Sequence, residues 1–346
     1  MTNILLTGGS GFMGRAIVSE LLGPSSPIKT DLIRIFDLDE YKGIMDPRIE
    51  MVRGDVRDYR QVLDAARNID IVIHSAAVVD WGTKSEEEIF SVNVKGTENM
   101  IEACKEQKVK FLVFTSSLDA VFSGKPLVDI DETLPYPKKH PNSYCTSKYL
   151  AEQRVLQCSG DDLEACIIRP ADVYGEGDPF HIGSLLEMAK GGFYVRLGNG
   201  KSRSQHVYSG NIAHAHVIAA HALLTHNRAI AGNVYFITDG PGSNFFSFYD
   251  RIIKEAGYRI WPKNLWLPRR FALMLGMLSE ALAILARPFK RYTPKMSRFA
   301  VIYTCTDFTF NSEKAGKDFG FIPKYSAEKA FERTVHYYRR LKEEKN

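Results

Sequence analysis

The chain has 346 residues, 45% hydrophobic and 25% charged, with a formal net charge of +4. These are ordinary globular proportions, which exclude a disordered chain and suit one large domain or two unequal ones. Five cysteines, odd in number and without a C-x-x-C, exclude a disulfide framework and a cysteine zinc site, and point to reduced thiols in the cytoplasm.

In chain order, "NILLTGGSGFMGRAIVSELL" reads as a short apolar strand, a glycine turn and an amphipathic helix. It starts so near residue 1 that no signal peptide is expected. Gly8, Gly11 and Gly14 are spaced three apart. Glycines let the turn close tightly and let the backbone approach a pyrophosphate seated on the N–H groups of the helix start. A second strand, "DLIRIFDLD", carries Asp37 at its end. A carboxylate there accepts hydrogen bonds from an adenosine ribose and repels the extra phosphate of NADP, so NAD is the expected cofactor.

The segments "IEMVRGDV", "IDIVIHSAA", "FLVFTSS" and "EACIIRP" continue the strands, with amphipathic helices near 58–67 and 85–107. Strands alternating with helices predict an α/β fold: a Rossmann-type, doubly wound parallel sheet over residues 1–170. Ligands bind such a sheet at the C-terminal strand ends. His74 and Arg169 lie in apolar strands and read as hydrogen-bonded structural residues.

"SYCTSKYLAEQ" places Tyr144 four residues before Lys148 on a predicted helix, so both point from one face at the binding edge. A nearby ammonium favours phenolate, which suits the phenol to proton transfer near neutral pH. Ser117, at the end of the fifth strand, offers a hydroxyl to hold a substrate oxygen beside the phenol. Its competing reading is a strand-end cap.

From residue 171 to 346 the pattern becomes irregular, as expected of a smaller substrate lobe. The histidines of "NIAHAHVIAAHALLTH" do not converge, because His214 and His216 point to nearly opposite sides of a helix, so no metal site is expected. Residues 251–298 carry eleven Lys or Arg against two acids, about +9, while everything else sums to about −5. Within this stretch an amphipathic basic segment spans 261–298. Pro268 suits a helix start and Pro288 a stop. Phe271, Met274, Leu275, Leu278, Leu282 and Leu285 share one apolar face, with Ala272, Gly276, Glu280 and Ala283 among the residues opposite. Only 16 residues, about 24 Å, separate Arg270 from Arg287, against a hydrocarbon core of about 30 Å. Two readings remain, a core helix of the lobe and a helix lying at a membrane surface. Trp261, Trp266, Phe289, Tyr292 and the basic rim favour the second. Nucleic acid is not expected. The final stretch, "SAEKAFERTVHYYRRLKEEKN", reads as a charged amphipathic helix.

Together, Gly8-x-x-Gly11-x-x-Gly14, Asp37, "GDV", "HSAA", "NVKGT", "FTSS", Tyr144-x-x-x-Lys148 and "IIRPADVYGEG" resemble an extended short-chain dehydrogenase. "VIHSAAVVDWG", "RPADVYGEGD", "HVYSGNIAHAH" and "GNVYFITD" resemble its 3β-hydroxysteroid dehydrogenase branch. The resemblance runs from about residue 3 to about residue 340. It implies hydride transfer between NAD and the 3β-hydroxyl or 3-keto group of a steroid or sterol, sometimes with isomerisation or loss of a 4-carboxylate. It makes Ser117, Tyr144 and Lys148 catalytic, with Lys148 also on the nicotinamide ribose. It puts Phe12 and Met13 at the pyrophosphate, Asp55 and Val56 at adenine, Ala76 at the second ribose and Pro170 at the nicotinamide. A homodimer is a further expectation. For a second acid or base, Asp80 and Asp119 suit equally well as solvated loop residues. A cytoplasmic protein held peripherally at a membrane fits the whole. Two other functions stay open: a sugar-nucleotide epimerase or reductase, which needs cations for a diphosphate, and a cofactor-binding scaffold without turnover.

Overall fold

A computed structural model describes residues 2–344 except 82–83, 161, 228 and 287–295. The expectations for Arg287, Pro288, Phe289, Lys290, Arg291, Tyr292 and Lys295 lie outside the described residues.

Seven parallel strands form the central sheet: β1 (Thr2–Thr7), β2 (Thr30–Asp37), β3 (Ile49–Arg53), β4 (Ile71–His74), β5 (Phe111–Thr115), β6 (Glu164–Pro170) and β7 (Val234–Ile237). Their order is β7-β6-β5-β4-β1-β2-β3. Helices cover both faces, so the inner strands are apolar on both sides, as Ile4, Leu5 and Leu6, all fully buried, illustrate. Against one face pack α1 (Phe12–Leu22) and a later helix, Ser209–Leu224; against the other pack α2 (Tyr59–Ala65), α3 (Gly96–Glu106) and α4 (Ser143–Cys158). The chain order reverses between β1 and β4, where such sheets open a crevice at their C-terminal ends.

The seventh strand was not foreseen. "VYFI" pairs with β6, so the sheet draws on the chain on both sides of residue 170. It is short and stands within irregular sequence, which hides its period. The lobe is a separate aromatic core in which Tyr174, Tyr194, Tyr208, Phe245 and Tyr249 pack together. Within it, buried Arg196 pairs with buried Asp250 at 2.7 Å.

Two helices close the lobe over the crevice, α5 (Arg269–Ala286) and α6 (Arg298–Thr304). The small residues of α5 face the protein: Ala272 is fully buried, and a Cβ on Gly276 would stand 3.1 Å from the Arg298 nitrogen. Glu280 completes the seat by accepting from the Arg298 amide at 2.7 Å and its Nε at 2.6 Å. The large residues therefore face outward. Phe271, Met274, Met277, Leu278, Leu282 and Leu285 are all exposed, Leu285 at 71%. The core-helix reading of this segment fails on that exposure. Among the described residues no helix is long and apolar enough to cross a membrane.

Candidate active site

One cavity runs along the C-terminal ends of the strands, from the glycine turn to Tyr144 and on to α6. At its nucleotide end, Gly8 adopts φ +72°, and a Cβ there would stand 2.8 Å from the Ala76 nitrogen. A Cβ on Gly14 would come within 2.1 Å of the Gly8 carbonyl. Both positions therefore require glycine. The helix begins with Gly11 as an N-cap that offers no side chain, so the first-turn amides at Phe12 and Met13 are left to a ligand. Phe12 and Met13 line the cavity there.

Asp37, at the end of β2, accepts from the Ser10 amide at 2.9 Å, which fastens the glycine turn to the neighbouring strand. Asp55 and Val56 line the wall after β3. The Asp55 carboxylate is engaged by Arg57, Nε to Oδ2 at 2.8 Å, which lowers its pKa. Ala76 and Pro170 line the middle of the cavity. The backbone cradle, the capless helix start and the carboxylate at Asp37 fit a dinucleotide.

The loop carrying Ala76 is shaped by a buried chain of hydrogen bonds. Thr97 donates its hydroxyl to the Asn93 carbonyl at 2.7 Å, so toward His74 Nε2 it accepts. His74 then carries its proton on Nε2 and accepts at Nδ1 from the Thr7 hydroxyl at 2.7 Å. Thr7 Oγ1 in turn accepts from the amides of Ser75 and Ala76. Burial, then the charge of Lys148, pushes the His74 pKa down to about 3, which keeps the ring neutral. His74 is thus structural, as its strand position suggested.

Tyr144 and Lys148 lie on α4, capped by the Asn142 side chain on the Cys145 amide. The helix is fixed to β6 by Glu152 and Arg169, fully and almost fully buried, paired at 2.8 and 2.7 Å. Lys148 donates to the Thr115 carbonyl at 2.8 Å, and burial lowers its pKa to about 8. The Thr115 hydroxyl meets His216 Nε2 at 2.8 Å. Strand β5 stops at Thr115, so Ser117 is not a strand residue. It caps a short 3₁₀ turn, Leu118–Val121, by accepting from the Asp119 amide. The hydroxyl thus serves as a cap, and the residue lines the cavity.

The expected acidic phenol is not found. Burial and then the charge of Asp119 push the Tyr144 pKa upward. The Lys148 ammonium is occupied by a backbone carbonyl. An oxidised nicotinamide supplies a hydride acceptor and a positive charge when bound. Tyr144, Lys148 and Ser117 line this part of the cavity together, a phenol, an amine and a hydroxyl side by side.

Neither Asp80 nor Asp119 is solvated, at 4% and 7% exposure. The Asp80 carboxylate accepts from the Lys84 amide at 2.9 Å. Asp119 accepts the Ser117 proton at 2.7 Å. Asn93 was missed. On a five-residue π-helical turn, Ser91–Lys95, it accepts from the Val78 amide and donates to the Val78 carbonyl and the Ser147 hydroxyl, joining that loop to α4. The far end of the cavity, with Trp81, Asp172, His181, Phe299 and Tyr303, was missed as well. Tyr303 donates to Asp172 at 2.5 Å, and burial raises the pKa of that carboxyl. No group of three or more His, Cys, Asp or Glu among the described residues could hold a metal ion.

The fold is that of solved enzymes at low identity. A dTDP-glucose 4,6-dehydratase from Streptomyces venezuelae, solved with NAD, aligns with a TM-score of 0.75 at 20% identity over 98% of this chain and 97% of that one. A UDP-glucose 4-epimerase from Thermotoga maritima aligns with a TM-score of 0.71 at 20% identity, covering 98% and 99%. Sequence relatives are nearer. The human 3 beta-hydroxysteroid dehydrogenase type 7 is 34% identical over 96% of this chain and 94% of its own length. A decarboxylating sterol-4-alpha-carboxylate 3-dehydrogenase from Schizosaccharomyces pombe is 31% identical over 96% of each. The model of one family matches residues 5–269, and the chain belongs to that 3-beta hydroxysteroid dehydrogenase/isomerase family.

Proposed function

We propose that this protein is an NAD-dependent oxidoreductase acting on the 3β-hydroxyl, or the 3-keto group in reverse, of an uncharged steroid or sterol. Tyr144 exchanges the proton, Ser117 orients the substrate oxygen and Lys148 holds the ribose nearest the nicotinamide. One observation carries the substrate class. Beyond Tyr144 the cavity is walled by Trp81, Phe180 and Phe299, and Lys148 is the one Lys or Arg among its described lining residues. A sugar nucleotide needs cations for its diphosphate. A 4-carboxylate on the substrate would face the buried acids Asp119 and Asp172. Both considerations favour an apolar, uncharged ring system.

The exposed face of α5 supports delivery of that substrate from a lipid surface. Its large apolar residues point out beside Arg269 and Arg270, and the helix rests on α6, whose Phe299 and Tyr303 line the cavity. Such a face lies in the headgroup boundary without spanning the bilayer.

The test is NADH absorbance on mixing protein, NAD and a 3β-hydroxy-5-ene steroid in detergent. Wild type reduces NAD. Tyr144→Phe loses about 10²- to 10⁴-fold in turnover while still binding NAD. Turnover of a nucleotide sugar with none of the steroid would sink the proposal, and so would a fully active Tyr144→Phe.

A further inference from the structure

The Ser117 hydroxyl has a single proton, and the structure commits it to Asp119 Oδ2 at 2.7 Å. Toward Tyr144 and any substrate oxygen, Ser117 can then only accept. An alcohol satisfies such a group by donating its O–H. A ketone cannot, because its oxygen has only lone pairs to offer.

We propose that Asp119 is a positioning residue whose proton sets the direction of the Ser117 hydroxyl. Ionised, it accepts the Ser117 hydrogen bond, so Ser117 can accept from an alcohol but offers a ketone only a lone pair; protonated, it donates to Ser117 and frees that hydroxyl for the ketone. This rests on the roles given above to Tyr144, Ser117 and Lys148. In the oxidation direction, ionised Asp119 leaves the ketone product held by the Tyr144 O–H alone and facing a Ser117 lone pair, which hastens its release.

The surroundings put this proton within reach of solution pH. Asp119 is buried, with side-chain donors in the Ser117 hydroxyl and, at 3.7 Å, the Cys145 thiol. From α4 it faces Tyr144, Cys145 and Lys148; from the segment after β6 it faces Asp172; from α6 it faces Tyr303. His140 meets the neighbouring Ala120 carbonyl at 3.0 Å. Burial, opposed by the Ser117 hydrogen bond and reinforced by Asp172, lifts the Asp119 pKa to about 6. The carboxyl is therefore protonated below that pH and charged above it.

The experiment uses two unreactive complexes, a 3-ketosteroid bound to the NAD-loaded protein and a 3β-hydroxysteroid bound to the NADH-loaded protein. Affinity is followed from about pH 8 down to about pH 5, on either side of the Asp119 value. In wild type the ketone tightens about tenfold as pH falls, the size of one regained hydrogen bond to a buried acceptor, while the alcohol stays within about twofold. Asp119→Asn cannot ionise, and its ketone affinity is flat with pH. Ser117→Ala removes the group through which Asp119 acts, and it too is flat. NADH fluorescence checks that both variants keep the nucleotide end intact. A pH trend that persists in Asp119→Asn overturns the proposal, as does one that persists in Ser117→Ala, where the proton would act on the ligand without Ser117. Wild type binding neither steroid overturns this inference together with the substrate reading, whereas wild-type binding with persistent trends overturns this one alone.

Discussion

The two ends of the cavity are made of different material. At the nucleotide end recognition belongs to the backbone: a turn that tolerates no Cβ at Gly8 or Gly14, and a helix start with uncapped amides. At the far end it belongs to side chains brought from distant parts of the chain, with Trp81, Asp119, Asp172 and Tyr303 meeting around Tyr144. Backbone recognition needs particular residues at particular spacings, so it leaves a compact signature. Side-chain recognition needs only that some residue of the right chemistry arrives, so its contributors are scattered and replaceable.

Three substitutions break or sharpen this contrast, beginning with the seam between the ends. Arg169→Met leaves Glu152 buried without its cation, and Tyr136 is then its remaining side-chain partner, at 2.7 Å. Denaturant unfolding should show a loss of about 3–5 kcal/mol. A loss below about 1 kcal/mol would mean that α4 is held to β6 by packing alone. Gly14→Ala drives a methyl group into the Gly8 carbonyl. At about 1–3 kcal/mol of overpacking, NAD affinity should fall about 10- to 100-fold in calorimetry, with turnover at saturating NAD much less affected. Equal damage to NAD binding and turnover would show that the two ends are not separable. The smallest effect is expected outside the cavity. Leu282, 60% exposed, touches neither end. Leu282→Ser should weaken partition to anionic vesicles about tenfold, given about 1.5–3 kcal/mol for a fully buried leucine, and leave detergent-solubilised turnover unchanged. Unaltered vesicle binding would remove α5 from the membrane reading.

The same contrast decides what was legible in the sequence. The glycine spacing, Asp37 at its strand end and the Tyr144–Lys148 pair could be read because helix and strand periods fix where such residues point. The direction of the Tyr144 pKa could not, because it follows from burial and from Asp119, which pairing by sequence distance ignores. Asn93 was hidden by its π-helical turn, which shifts side chains off the period a reader assumes. In α5 the period was right and the sidedness was open. Sequence separates the small face from the large one, and only the seat of Gly276 on the Arg298 backbone says which of them meets the protein.

The neutral imidazole that shapes the Ala76 loop has a consequence for acid stability. His74 is fully buried with a pKa of about 3, and His206 and His216 are also buried, at about 3 and about 4. In the unfolded chain each would titrate near 6.5. Their folded values are depressed, so the stability they contribute is complete above pH 6.5 and drains away as pH falls toward 3 to 4. Over that window the unfolded chain takes up three protons that these positions refuse in the fold. The histidine share of acid unfolding is therefore linked to strand β4, the lobe and the helix Ser209–Leu224 at once, because each of them shelters one of the three rings, while the raised carboxyls of Asp119 and Asp172 work in the opposite direction.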